Sequence, residues 1–267
     1  MHVYIYDSFV NTKKYDNVLA QIETRITDLG LNGKIIRLNV MKNINEAVKN
    51  ELQQGAKTIV AVGNDNTVNQ IINSIIRAET DGYYRTNVPL GIIPIGEKNN
   101  SISSSLGIGE GEEACDVLSA RRIEKLDMGQ ANNYYFLSQA TITAQGTVLD
   151  INPSGRGSEV LKNYSIEIME HGAINIINLS TFNNLPENIN PNPQDGKLEL
   201  FIYTNPKRRI IKLSKEQNQS FFSIKKLIIQ NNKSPLTLDN SLEIPTPVEI
   251  SILSRKLDVI VGKERGF

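Results

Sequence analysis

The stretch Thr58-Ile59-Val60-Ala61-Val62, the loop Gly63-Asn64-Asp65-Asn66-Thr67 and the run Val68-Asn69-Gln70-Ile71-Ile72-Asn73-Ser74-Ile75-Ile76 together decide the fold. The first five residues are apolar or β-branched and are bounded by polar turns. They read as a strand buried on both faces, the habit of a parallel sheet. Beyond the loop, Val68, Ile71, Ile72, Ile75 and Ile76 recur at helical spacing and make one apolar face. A buried strand, a tight polar loop and an amphipathic helix form half of a βαβ unit.

The same alternation extends to both sides. Upstream, Val3–Tyr6 reads as a strand. Lys13–Leu29 reads as a helix, with Tyr15, Val18, Leu19, Ile22, Ile26 and Leu29 on one face and Gly30 and Asn32-Gly33 at its end. Lys34–Leu38 reads as a strand and Asn45–Gln54 as a helix closed by Gly55. Downstream come a strand over Val88–Ile95, a short helix near Ser101–Leu106 and a helix over Glu112–Ala120. Repeated strand–helix alternation predicts a parallel sheet with right-handed crossovers.

After Ala120 the helical period fades. Strand-like runs take over at Tyr134–Thr143, Ser165–Met169, Ile174–Leu179, Leu198–Tyr203, Lys226–Ile229, Val248–Leu253 and Leu257–Val261. Turn-rich stretches at 152–158, 183–196 and 231–235 separate them, and 183–194 is expected to be a mobile loop. The expected fold class is therefore α/β plus all-β. An α/β nucleotide-binding-like domain over 1–123 precedes a β-sandwich over 124–267, with the last strands able to return toward the first domain.

Composition excludes several function classes. Lys plus Arg number 29 and Asp plus Glu 29, so no basic surplus points to nucleic acid. The single cysteine, Cys115, cannot form an internal disulfide or a multi-cysteine metal cluster, and reads as a buried small hydrophobe. With His2 and His171 the only histidines, His-based zinc sites and Ser-His-Asp hydrolysis are disfavoured. The opening residues carry no secretory pattern and the longest apolar runs are too short to span a bilayer, so a cytoplasmic location is expected.

In open α/β sheets, ligands bind at the carboxyl ends of strands. Two loops occupy such positions: 63–67, and Gly96-Glu97-Lys98-Asn99-Asn100 after the strand Val88–Ile95. Each can aim the free N–H groups of a helix start at an anion, and Thr67 has the chemistry of an N-cap.

With their flanks, these loops resemble the diacylglycerol kinase-type lipid kinases. VAVGNDNTVNQIIN is similar to that family's VxxGGDGTxNEVxN, and PLGIIPIGEKNNSISSSLGI to its PLGIIPxGTGNDFARSLGI. Leu126-Asp127-Met128-Gly129 resembles its xxDLG strand and Asp195-Gly196-Lys197-Leu198 its DGxL strand. Leu238-Asp239-Asn240-Ser241 resembles its LDGE segment. The same fold and loop type occur in sphingosine kinases and, more distantly, in NAD kinases. A polar small-molecule kinase is thus a weaker alternative, disfavoured by the all-β second half.

The resemblance implies transfer of the ATP γ-phosphoryl group to a lipid hydroxyl with Mg²⁺. It implies nucleotide binding by Gly63, Asn64, Asn66, Thr67, Gly96, Lys98 and Asn99. It also implies catalytic and metal-binding roles for Asp65 and Asp239. Nucleotide and a lipid headgroup would be the partners, with no nucleic acid, membrane contact at most peripheral, and a homodimer compatible.

The motifs also depart from the family. GGDGT is GNDNT, GTGND is GEKNN, and the Gly-Glu of DGE is Asn240-Ser241. The early NPxxG loop is Asp7-Ser8-Phe9-Val10-Asn11. Asn tolerates positive φ, so the backbone at 64 and 66 is expected to survive the loss of glycine. Two readings stand at this point: an active lipid kinase, and a catalytically retired member acting as a ligand-binding or interaction protein. Asp65 reads equally as a helix-capping turn residue and Asp239 as an Asx turn. The basic cluster Lys207, Arg208, Arg209, Lys212 and Lys215 reads as a headgroup contact or as gatekeepers on a strand edge.

Overall fold

A computed structural model describes residues 1–39, 43–82, 88–96, 100–151, 164–181, 190–205 and 218–267. The chain divides into two compact units, 1–126 with 255–267, and 127–254. Among the described residues no helix is long and apolar enough to cross a membrane.

The first unit runs β1 (His2–Tyr6), α1 (Asp16–Asp28), β2 (Gly33–Arg37), α2 (Ile44–Gln53), β3 (Thr58–Gly63), α3 (Asp65–Thr80), β4 (Leu90–Pro94), α4 (Ser101–Ser105) and α5 (Glu112–Ala120). Its strands pair in the order β2-β1-β3-β4, all parallel, with Ile5 beside Ala61 and Ala61 beside Ile92. All six residues of β3 and all five of β4 are buried, as a strand covered on both faces requires. The sheet therefore presents the carboxyl ends of β1, β3 and β4 side by side. Three loops start there, at Asp7, Asn64 and Ile95.

The helix faces follow the sequence period. Ile71, Ile72 and Ile76 of α3 and Leu19 and Ile22 of α1 are buried. Cys115 on α5 is wholly buried, and burial pushes its thiol up to about 11, so it behaves as an apolar filler. The helix expected over Lys13–Leu29 begins with a 3₁₀ turn, Lys13–Tyr15, and becomes α-helical at Asp16.

The second unit is all-β. Its strands are the end of β5 (Ile123–Ala131), β6 (Tyr134–Phe136), β7 (Gln139–Thr143), β8 (Thr147–Ile151), β9 (Tyr164–Ile168), β10 (His171–Ile177), β11 (Leu198–Asn205), β12 (Asn218–Ile224), β13 (Lys226–Gln230), β14 (Leu236–Leu238), β15 (Leu242–Ile244) and the start of β16 (Val248–Ile260). One antiparallel sheet has the order β12-β11-β10-β7-β14-β15. In the other, β8 lies between β9 and β13, and β13 pairs with Val248–Ser251. Ile142, Ile174, Ile176, Leu198 and Leu200 of the first sheet share one core with Leu149, Leu227, Ile229, Val248 and Ile250 of the second. This is the sandwich that the alternating pattern predicts.

Two boundaries differ from the sequence reading. The single strand expected over Tyr134–Thr143 breaks at Leu137-Ser138, whose N–H groups donate to the Asp239 carboxylate. The two strands expected at Val248–Leu253 and Leu257–Val261 are one, β16. The polar run Ser254-Arg255-Lys256 between them stays within the strand, with Arg255 at φ 50. The loop expected at 183–194 and the basic cluster at 207–215 fall wholly or mostly outside the described residues.

Ile72 is fully buried in α3, whereas Ile35 on β2 is 42% exposed. Ile72→Ala is expected to cost about 2–5 kcal/mol through lost transfer energy and a residual cavity, and Ile35→Ser less than about 0.5 kcal/mol. Urea unfolding followed by circular dichroism measures both.

Candidate active site

Asp65 follows β3 and opens α3. Its carboxylate leaves its own helix and caps the next one. Oδ2 accepts from Ser101 N at 2.9 Å and Ser101 Oγ at 2.6 Å, and Oδ1 accepts from Ile102 N at 3.1 Å. The residue is 6% exposed. Burial raises its carboxyl above the ordinary 3.8, and the three hydrogen bonds pull against that rise without cancelling it. The loops expected to act together, 63–67 and 96–100, are thus joined through Asp65 to the first turn of α4.

The start of α3 is arranged differently from the expectation. Its N-cap is Asn64, not Thr67. Asn64 Oδ1 accepts from Asn66 N at 3.1 Å and Thr67 N at 3.3 Å. Thr67 is fully buried, and its hydroxyl donates to Asp7 Oδ2 at 2.6 Å. Gly63 is required here, because a β-carbon would overlap the Thr67 side chain. Asn64 sits at φ −100, ordinary extended backbone, and Asn66 lies within α3. Neither needs the positive φ that was expected to explain the exchange of glycine for asparagine. The side chain at 64 matters instead, as a cap.

Asp7 caps the short turn Ser8–Asn11, accepting from Phe9 N at 3.4 Å and Ser8 Oγ at 3.1 Å. Sequence reasoning noted only the missing Pro and Gly of this loop and overlooked the Asp7–Thr67 bond. Sixty residues separate the pair, so no local pattern could announce it. Gly96 takes φ 125, a conformation suited to glycine, and its carbonyl accepts from Asn100 Nδ2 at 2.8 Å. Glu97, Lys98 and Asn99 lie outside the described residues.

Within the second unit, the other motif segments meet around two buried carboxylates. Asp127, fully buried, accepts from Gly196 N at 2.7 Å. Asn178 donates to the carbonyls of Asp127 and Leu137, both at 2.8 Å. Asp239, 3% exposed, accepts from Leu137 N, Ser138 N and Gln139 N at 2.8–2.9 Å. Asp239 and Asn240 occupy the left-handed region at φ 43 and 53, and Asn240 fits there as asparagine can. Asp195 accepts from Lys197 N at 2.9 Å, a turn contact.

Several of the groups that a phosphate or Mg²⁺ would use are already hydrogen-bonded within the protein. At the start of α3 the N–H groups of Asn66 and Thr67 donate to Asn64, at the start of α4 those of Ser101 and Ile102 donate to Asp65, and the Asp239 oxygens accept from three backbone N–H groups. Among the described residues no group of three or more His, Cys, Asp or Glu side chains could hold a metal ion.

Known proteins give this arrangement its context. Residues 2–131 match the family model for the diacylglycerol kinase catalytic domain. A protein of Enterobacter sp. named "Probable lipid kinase YegS-like" is 31% identical over 137 residues, 49% of this chain. The chain spans less than half of that relative, 44% of its length. A diacylglycerol kinase from Bacillus anthracis superposes with TM-score 0.73 at 17% identity, over 98% of this chain and 97% of that one. An NAD kinase from Archaeoglobus fulgidus in complex with ATP gives TM-score 0.55 at 13% identity, over 100% and 96% of the two chains. These likenesses establish the fold: a parallel-sheet α/β unit with diacylglycerol kinase- and NAD kinase-like neighbours, and an antiparallel β region after it.

Asp65→Asn turns two amide hydrogens toward donors and is expected to cost about 1–3 kcal/mol in a urea melt at neutral pH. The sign of the pH effect follows from the raised carboxyl. The folded state holds the Asp65 proton more tightly than the unfolded chain, so this group's contribution is greatest below 3.8 and is lost as pH rises through its raised folded value. The stability gap between wild type and Asp65→Asn is therefore expected to narrow across that window.

Proposed function

We propose that this protein is a diacylglycerol kinase-like protein that has lost standard phosphotransfer and acts as a ligand-binding or interaction protein on the family's scaffold. The observation that carries this reading is the state of the LDNS segment. Its one acid, Asp239, is buried and spends both oxygens on the backbone N–H groups of Leu137, Ser138 and Gln139. Ser241, where the family places glutamate, has a hydroxyl that donates to Leu238 O at 3.3 Å. Phosphoryl transfer depends on positioned phosphates and on cations that neutralise developing charge. A second carboxylate free to serve that role is missing from this segment. Nucleotide and a lipid headgroup remain the ligands that the family resemblance suggests.

One observation favours the active reading, an ATP- and Mg²⁺-dependent lipid kinase. Asp65 stands at the carboxyl end of β3, and its carboxyl is raised by burial, the direction that suits a proton acceptor. Its three donors weigh against that role, because each stabilises the carboxylate and lowers its basicity.

The purified chain, given ATP labelled at the γ-phosphate, Mg²⁺ and a panel of diacylglycerol, monoacylglycerol and long-chain amino alcohols, is expected to label none of them above the protein-free background. Turnover that Asp65→Asn abolishes would establish the active reading instead.

A further inference from the structure

We infer that Asp7 and Asn64 form a built-in anion surrogate that holds the start of α3 closed to a polyphosphate ligand. This rests on the proposed reading of the site and names the residues that set its affinity.

The contact comes from two directions. From the end of β3, the Asn64 carboxamide oxygen sits on the N–H groups of Asn66 and Thr67. From the end of β1, the Asp7 carboxylate holds the Thr67 hydroxyl at 2.6 Å. The N–H groups of Asn66 and Thr67 and the Thr67 hydroxyl are therefore used by oxygens of the protein itself. A phosphate needs the same three donors and the same positive end of the α3 dipole. It must displace the carboxamide, and it must then lie beside a carboxylate that repels it.

The two contacts differ in kind, which makes them separable. Asn64 is a neutral competitor for donors. It sits at φ −100, so glycine can replace it without backbone strain, and glycine is nearly as good an N-cap. Asp7 contributes charge. Asparagine there keeps an oxygen that can accept from the Thr67 hydroxyl and removes the repulsion. Asp65, the other acid of this turn, points away to Ser101 and Ile102 and is common to both states.

Titration calorimetry of the full chain with ATP, and separately with tripolyphosphate, tests the assignment in wild type, Asn64→Gly, Asp7→Asn and the double variant. Asn64→Gly is expected to tighten both probes about twofold, since glycine falls short of asparagine as an N-cap by only a few tenths of a kcal/mol. Asp7→Asn is expected to tighten them further, with a gain that shrinks at high salt. Thermal melts of each variant verify the fold before titration. Unchanged or weaker binding in folded Asn64→Gly and Asp7→Asn overturns the surrogate. That outcome is separate from the labelling assay, because wild-type phosphotransfer speaks to retirement of the site and not to what these two side chains do.

Discussion

The organisation of the first unit depends on one carboxylate. Asp65 sits where β3 ends, yet its hydrogen bonds are made to Ser101 and Ile102, thirty-six and thirty-seven residues on. A short helix such as α4 has little intrinsic stability, because nucleation is costly and few bonds repay it. Charge-assisted bonds to its first N–H groups supply what its length cannot. The register of β3 against β4 places the two loops within reach, and Asp65 uses that proximity. The Thr67–Asp7 bond does the same between α3 and β1. Three loops from three strands are thus linked by side-chain hydrogen bonds.

Much of this architecture was legible from periodicity. β3 and α3 are as plain in the residues as elements become: a wholly buried strand has no polar face to interrupt it, and Ile71, Ile72 and Ile76 could serve only a helix facing a sheet. The short strands β8, β14 and β15 were invisible for the converse reason. Three to five residues carry too little alternation to separate strand from loop, and only pairing with distant strands stabilises them. The break at Leu137-Ser138 is likewise a tertiary effect, imposed by a carboxylate about a hundred positions away.

The site was legible as a place and not as a set of roles. The motifs located the carboxyl ends of β3 and β4 correctly, because topology dictates where loops collect in an open α/β sheet. Which hydrogen bond each polar residue makes was not in the motif. Asparagine in place of glycine at position 64 reads as a change of backbone freedom, and the chain uses it as a change of side-chain chemistry. At position 240 the backbone argument holds, since φ there is 53. One substitution type thus has two physical meanings, decided by a dihedral angle the sequence does not display.

The strand β16 begins in the second unit and ends in the first, where Val259 lies beside Leu90. The second unit is therefore an insertion, and the first is completed only by residues 255–267. During synthesis, β4 must wait with one edge unpaired until more than a hundred further residues have emerged. An unpaired parallel edge is a hazard for wrong pairing, and late closure over so long a separation is slow. The order of translation thus makes the last residues of the strand a timing element, with the nascent first unit exposed to chaperones or aggregation until they arrive.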